Sequence, residues 1–240
     1  MTRSLATTVV TGGLVAAGLL AGPAVASVAP LRRAFLPGLA ATSPLHRIAL
    51  SYDDGPDPGS TPAFLDLLDR YDVRATFFVL GEHVAANRDL VTRMAASGHE
   101  LAVHGWDHQC VLLKRPRTLR EEIGRTVDLV RDVTGRPARW YRPPYGVLST
   151  PALLAARSAG LRTTLWSAWG RDWERGATPA RICWTVERRL RPGGTVLLHD
   201  TDRTSAPGSW RRTLAASDLL LESWSTRGLP VGTLGSHGLG

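Results

Sequence analysis

Two adjacent carboxylates, Asp53 and Asp54, close the apolar run Ala49-Leu50-Ser51-Tyr52 and are stopped by Gly55-Pro56. Successive strand residues face opposite sides of a sheet, so both acids can serve one site only where the strand unwinds into a loop, one then ligating and the other titrating. The same residues are common turn formers, and alone they fit a solvated turn as well. His104-Gly105-Trp106-Asp107-His108 sets two imidazoles four positions apart, a spacing that brings both to one ion on a helical turn or tight loop. A carboxylate such as Asp54 added to that pair makes a set of two histidines and one carboxylate, the donor class of catalytic zinc centres that keep a position open for water. Three further polar positions complete the pattern: Arg142 ahead of Pro143-Pro144-Tyr145, Asp172 ahead of Trp173, and His199 directly after Val196-Leu197-Leu198.

The segments between these positions alternate in character. Apolar, β-branched and aromatic runs predict strands over 46–53, 74–80, 100–103, 139–141, 161–166 and 194–198, with a short last one at 229–231. Amphipathic periodicity predicts helices over 61–71, 89–97, 118–133, 151–159, 178–190 and 210–226. Thr118-x-x-Glu121 reads as a capping box, and Gly98, Gly135 and Gly160 as helix stops. This is an α/β pattern of parallel strands with helices outside, either an open doubly wound sheet or a barrel. No Gly-x-Gly-x-x-Gly follows the first strand, so a dinucleotide fold has no support. Residues 44–240 fall short of the ~250 residues typical of an eight-fold barrel, which favours an incomplete one. In such folds the loops after the strands converge on one face, and every polar position named above follows a predicted strand.

Taken in order, Ser51-Tyr52-Asp53-Asp54-Gly55-Pro56, His104 to His108, Arg142-Pro143-Pro144-Tyr145, Trp166 through Asp172-Trp173, and Leu197-Leu198-His199 resemble the five motifs of the polysaccharide deacetylases, the NodB-homology domain of carbohydrate esterase family 4. The resemblance runs over about residues 47–228. It implies a distorted, incomplete (β/α) barrel of about seven parallel strands with outer helices. It also implies that Asp54, His104 and His108 hold a divalent metal, zinc first, with cobalt or manganese as alternatives. Asp53 would be the catalytic base, oriented and favoured in its charged form by Arg142. His199 would be the general acid with Asp172 tuning its protonation, Trp173 and Leu197 would wall the acetyl pocket, and the backbone N–H of Tyr145 would help bind the oxyanion.

Three positions depart from the family pattern. Gly105 stands where a Ser or Thr hydroxyl usually steadies the metal loop, Tyr52 where Phe is commoner, and Trp169 where an acidic or other polar residue is often seen. The implied reaction is metal-dependent removal of N-acetyl groups from an acetylated glycan, peptidoglycan or a chitin-like oligosaccharide, releasing acetate and a free amino sugar. Alternatives are removal of O-acetyl groups from a polysaccharide, and glycan binding without catalysis. Binding alone needs no base–acid pair, so Asp53 together with His199 argues against the last.

The charge of +8 comes from 28 arginines and one lysine, Lys114, dispersed along the chain. That dispersion argues against a nucleic-acid stripe and fits an arginine-rich proteome or attraction to an anionic cell-wall polymer. Residues 5–26 carry no charge, follow Arg3 and end in a small-x-small pattern, so 1–26 reads as a signal peptide or membrane anchor, 27–43 as a linker and 44–240 as the catalytic domain. The expectation is an exported protein, secreted, cell-envelope associated or membrane-anchored, touching membrane only through an uncleaved N-terminal segment, and monomeric. Cys110 and Cys183 leave one disulfide and two independent thiols both open. His83 reads as a surface residue, His99 as a strand start, and His46 and His237 as without a role. Trp106, Trp169, Trp173 and Trp210 fit rim aromatics or core, and Asp200, Asp202 and Arg203 fit substrate contacts or solvated loop.

Overall fold

Period-two alternation decides which side chains can reach a common site. In the computed structural model, which describes residues 22–27, 39 and 41–238, one sheet contains β1 (Ile48–Asp53), β2 (Thr76–Leu80), β3 (Glu100–Gly105), β4 (Trp140–Tyr141), β5 (Arg162–Thr163), β6 (Ala168–Trp169), β7 (Thr195–His199) and β8 (Val231–Gly232). Around it lie α1 (Thr61–Arg70), α2 (Gly81–Ala86), α3 (Arg88–Ala96), α4 (Pro116–Thr134), α5 (Thr150–Ser158), α6 (Pro179–Glu187) and α7 (Ser209–Thr226). The order across the sheet is β5-β4-β3-β2-β1-β7-β6, with β8 added beside the start of β1. Every pairing is parallel.

β5 and β6 stand at opposite ends of that order yet follow one another in the chain. Six strand spacings would separate them by ~29 Å in a flat sheet. The five residue steps from Thr163 to Ala168 span at most ~18 Å. The sheet must therefore curl, giving a half-barrel of seven parallel strands with helices around it, the incomplete (β/α) barrel that the alternation implies.

On β1, Ile48, Leu50 and Tyr52 join the core between sheet and helices, with Phe77 and Val79 of β2, Leu101 and Val103 of β3, and Val196 and Leu198 of β7. The alternate residues turn to the other, concave face. Ala49, Phe78, Ala102 and Trp140 pack together there, and Asp53, His104, Leu197 and His199 share their parity on the same strands. Tyr52 is wholly buried, and its hydroxyl donates to Ser217 Oγ of α7 at 3.0 Å, so the phenol leaves no unpaired buried oxygen.

Several boundaries differ from those expected. The capping box at Thr118 does not form: Pro116 starts α4 earlier, its fixed φ suiting the first turn, and Glu121 pairs with Arg117 instead at 2.8 Å. Gly135 ends α4 in the left-handed conformation, as expected. The short helix α2 is absent from the sequence reading, because with only Gly81 and Val84 buried it has no apolar period to detect. Of the strand expected over 161–166 only β5 forms, pairing with β4, and β6 follows beyond that range and pairs with β7 as the chain crosses the open side. The export segment and linker lie almost wholly outside the described residues, Gly22–Ser27 forming a 3-10 turn. No helix among the described residues is long and apolar enough to cross a membrane.

Candidate active site and metal centre

Asp53 ends β1 with its side chain on the concave face, and the alternation would send Asp54 to the opposite one. Asp54 instead adopts φ +78°, a left-handed conformation that brings its carboxylate back beside that of Asp53. His104 sits near the end of β3, and His108, at φ +58°, reverses the loop after it. Asp54 Oδ1 then lies 3.2 Å from His104 Nε2 and 3.1 Å from His108 Nε2. His104 Nδ1 donates to the Arg142 carbonyl at 2.8 Å, which fixes the ring with Nε2 directed at Asp54. Asp54 Oδ1 is buried and accepts no hydrogen bond. Two imidazoles and an oxyanion converge within 4.8 Å, a donor set that fits a divalent cation.

Burial alone would raise the Asp54 pKa, but the adjacent His104 and His108 rings and the charge on His199 hold it well below the ordinary carboxylate range. Its second oxygen accepts from the Thr204 hydroxyl. His83 Nδ1 donates to the Asp54 carbonyl at 3.0 Å, so the ring expected at the surface instead braces the backbone of the cation site.

Arg142, the residue after β4, is completely buried. Its Nη1 donates to Asp53 Oδ1 at 2.6 Å and to Ser51 Oγ at 2.9 Å, and its Nη2 to the Leu165 carbonyl at 2.8 Å. Its guanidinium also lies 3.9 Å from the centre of the Phe78 ring. These contacts leave Asp53 one orientation.

On the strand beside β1, His199 closes β7. Its Nδ1 lies 3.2 Å from both oxygens of Asp172, while its backbone N–H donates to Asp172 Oδ2 at 2.8 Å. Thr213 of α7 donates to the same oxygen at 3.0 Å, fixing a carboxylate that is itself fully buried. Burial would depress the His199 pKa, but the Asp172 charge and hydrogen bond, reinforced by Asp54 and Asp53, push it up to about 10. A divalent cation held by Asp54, His104 and His108 would oppose that rise.

Between these groups lies a pocket of about 290 Å3. Asp53, Asp54, His104, His108, Tyr145, Trp173, Leu197 and His199 line it, with Arg142 and Asp172 buried behind its wall. Tyr145, at φ +59°, stacks its exposed ring edge-on to His108 with centroids 4.6 Å apart. Its N–H is used by neither backbone hydrogen bond of the turn, which run from Gly146 to Pro143 and from Val147 to Pro144.

Sequence reasoning misses the groups that stiffen this site from a distance. Gly105 has φ +119°, where a side chain would be strained, and the loop is steadied by other means. Lys114 reaches the carboxylates of Asp107 and Glu122 with its side chain only 8% exposed. Thr126 of α4 donates to the Gly105 carbonyl at 3.2 Å, and Glu82 N–H to the Trp106 carbonyl at 3.1 Å. The signal available is that the chain's one lysine follows the histidine pair. Trp166, Trp169, Thr204 and Ser205 also line the pocket.

The remaining expectations divide. His99 does precede a strand, but His237 is buried and bonded through Nε2 to the Gly193 carbonyl at 2.6 Å. Asp200 is neither solvated nor in the pocket. It is fully buried against Gly55 and Thr61, and burial raises its pKa to about 7 against the Thr61 hydrogen bond. Asp202 caps the Gly208 N–H and Arg203 pairs with Asp57. Trp169 and Trp173 line the pocket, whereas Trp106 packs on Gly81 and Trp210 against the core. Cys110 and Cys183 are free thiols.

The polysaccharide deacetylase family profile matches residues 40–164. A chitooligosaccharide deacetylase of Bradyrhizobium sp. (strain ANU 289) is 35% identical over 195 residues, covering 77% of this chain and 87% of that one. The solved Bc1960 peptidoglycan N-acetylglucosamine deacetylase, in complex with an N-hydroxybenzamide, superposes with a TM-score of 0.76 at 29% identity, covering 83% of this chain and 92% of that one. A family 4 acetyl xylan esterase from Clostridium thermocellum, in complex with a cobalt ion, superposes with a TM-score of 0.71 at 29% identity, covering 79% and 89%. With the profile spanning more than half of the chain and the first relative alike along most of both lengths, the chain belongs to the polysaccharide deacetylase family.

Proposed function

We propose that this chain removes N-acetyl groups from a cell-wall or related glycan, peptidoglycan or a chitin-like oligosaccharide, by metal-dependent hydrolysis. The observation that carries the reading is the pairing of two braced side chains, Asp53 on Arg142 and His199 on Asp172, beside a buried Asp54 oxygen that lacks a hydrogen bond. The similarity to deacetylases named for chitooligosaccharides and peptidoglycan supports the substrate class.

Asp54, His104 and His108 would hold the ion, zinc first and cobalt or manganese as alternatives. When bound, a divalent cation supplies Lewis acidity toward the acyl oxygen and toward water. Asp53 takes the proton of the attacking water, with Arg142 fixing the oxygen that does not receive it. The Tyr145 N–H is free of its turn and donates to the oxygen on which charge develops. His199, protonated and held through Nδ1 by Asp172, presents Nε2 to the departing nitrogen, which is too basic to leave unprotonated. Residues 1–26 direct export, so the reaction takes place outside the cytoplasm, at the envelope or beyond it.

A second reading, hydrolysis of O-acetyl esters, draws on the similarity to the acetyl xylan esterase and uses the same groups. Acetate release by the purified protein from N-acetylglucosamine oligomers and from acetylated xylan, with and without chelator, separates the two. Release from xylan with none from the amide oligomers would overturn the first reading.

A further inference from the structure

We propose that Trp169 sets the depth of the acyl pocket and restricts hydrolysis to acetyl and smaller acyl groups. The inference rests on the deacylase reading above and adds the size of the group removed.

Three tryptophans form one continuous wall. Trp166 and Trp169 stack with ring centroids 5.8 Å apart at 28°, and Trp169 meets Trp173 edge-on at 5.3 Å. The wall reaches from one titrating centre to the other. Trp173 touches the His199 ring at 5.5 Å, and the Arg142 guanidinium that holds Asp53 lies 5.7 Å from the Trp166 ring. Trp169 occupies the middle of this arc and lines the same pocket as Asp53, Asp54 and His199.

The substituents of a reacting acyl carbon divide the pocket between them. Its oxygen belongs beside Asp54, His104 and His108, its leaving nitrogen beside His199, and its incoming water beside Asp53. The alkyl group is the remaining substituent, and it has no polar partner to find. Of the lining side chains, Trp166, Trp169, Trp173 and Leu197 offer an apolar surface away from the Tyr145 ring, which is committed to His108. The alkyl group therefore ends against the tryptophan wall.

That wall cannot easily retreat. Trp169 belongs to β6 and is paired in register with Leu197 of β7. The next residue, Gly170, donates to the Leu197 carbonyl at 3.3 Å, and a Cβ there would come within 2.8 Å of both Leu198 and Ile182. Trp169 is thus seated on a backbone with no room behind it, and its indole is flanked by two others. A longer alkyl chain would have to displace a ring rather than slide past one. In a pocket of this kind one methylene changes transition-state affinity by about tenfold or more.

The test is hydrolysis of chitooligosaccharides carrying formyl, acetyl, propionyl or butyryl amides by the zinc-loaded full chain and its Trp169→Ala, Trp169→Leu and Trp169→Phe variants. The wild type is expected to lose about tenfold or more in kcat/KM for each methylene beyond acetyl. Trp169→Ala should raise the propionyl-to-acetyl and butyryl-to-acetyl ratios by at least about tenfold, with Leu intermediate and Phe near wild type. Calorimetric binding of acetohydroxamate, propionohydroxamate and butyrohydroxamate to the same zinc-loaded proteins reads pocket depth without turnover. It should show the same shift of preference toward the longer acyl groups. If Trp169→Ala lowers every rate and affinity in proportion, the role is structural and the proposal fails. It fails equally if the wild type accepts butyryl as well as acetyl. Hydroxamate preferences that follow Trp169 in a protein hydrolysing none of the amides would retain Trp169 as the residue that sets pocket depth and overturn the amide-hydrolysis reading.

Discussion

Asp53 and His199 are register partners across β1 and β7, each the last residue of its strand. The two groups that would move protons are therefore set side by side by backbone hydrogen bonding rather than by flexible loops. Each is then fixed by a buried group of opposite charge, Arg142 for Asp53 and Asp172 for His199. Strand-borne side chains with braced rotamers keep the short tolerances that proton transfer requires.

The Asp172–His199 pair makes stability and activity depend on pH in a defined direction. Against the effect of burial, Asp172, reinforced by Asp54 and Asp53, raises the His199 pKa from 6.5 to about 10. A raised folded-state pKa contributes stability that is complete below pH 6.5 and is lost as pH rises through about 10. In chelator, Asp172→Asn should therefore lower Tm more at pH 6 than at pH 10. The alkaline limb of kcat/KM in the zinc-loaded variant should move to lower pH. An equal Tm loss at both pH values would contradict the assignment.

Metal binding should stabilise the fold by mass action. At a zinc concentration of 100 times Kd the gain is about 2.7 kcal/mol, visible as a rise in Tm. Asp54→Ala removes the central donor and should abolish both the shift and stoichiometric zinc binding. His108→Ala should do the same while leaving the β3 strand intact, because His108 lies in the loop beyond it. Calorimetric scans with and without zinc provide the check, and a zinc-induced rise that survives Asp54→Ala would place the ion elsewhere.

Lys114 should prove a positioning residue of the histidine loop. Lys114→Met leaves Asp107 and Glu122, each about one-fifth exposed, without their shared cation. It should weaken zinc about 10–100-fold, the usual effect of losing a group that orients ligands. Competition titration against a chromogenic chelator measures this. Lys114→Arg, which keeps the charge, should recover part of the loss, and unchanged zinc affinity in the Met variant would remove Lys114 from the account.

The parts of this molecule legible in its sequence are those governed by short-range rules. Alternation places Asp53, His104, Leu197 and His199 on one face, and two adjacent acids in one site call for a strand end that unwinds, which the left-handed residue Asp54 supplies. The supports are not legible because they come from elements far along the chain. Thr204 reaches Asp54 from 150 residues away, and Thr213 reaches Asp172 from 41. Hydroxyls of this kind have no periodicity or motif, and only the curl of the sheet brings them in. The role of His83 is hidden for the same reason, since α2 is too short to show an apolar period and its ring bonds a backbone carbonyl rather than a side chain.

The most direct test of the central claim is acetate release from N-acetylglucosamine oligomers by the purified full chain, measured with added zinc, with chelator, and for Asp53→Asn. The account predicts zinc-dependent release matched by new free amine, lost in chelator, and reduced about 10²–10⁴-fold in Asp53→Asn while that variant still binds one zinc as tightly. Release that persists in chelator, or that Asp53→Asn leaves unchanged, would contradict it.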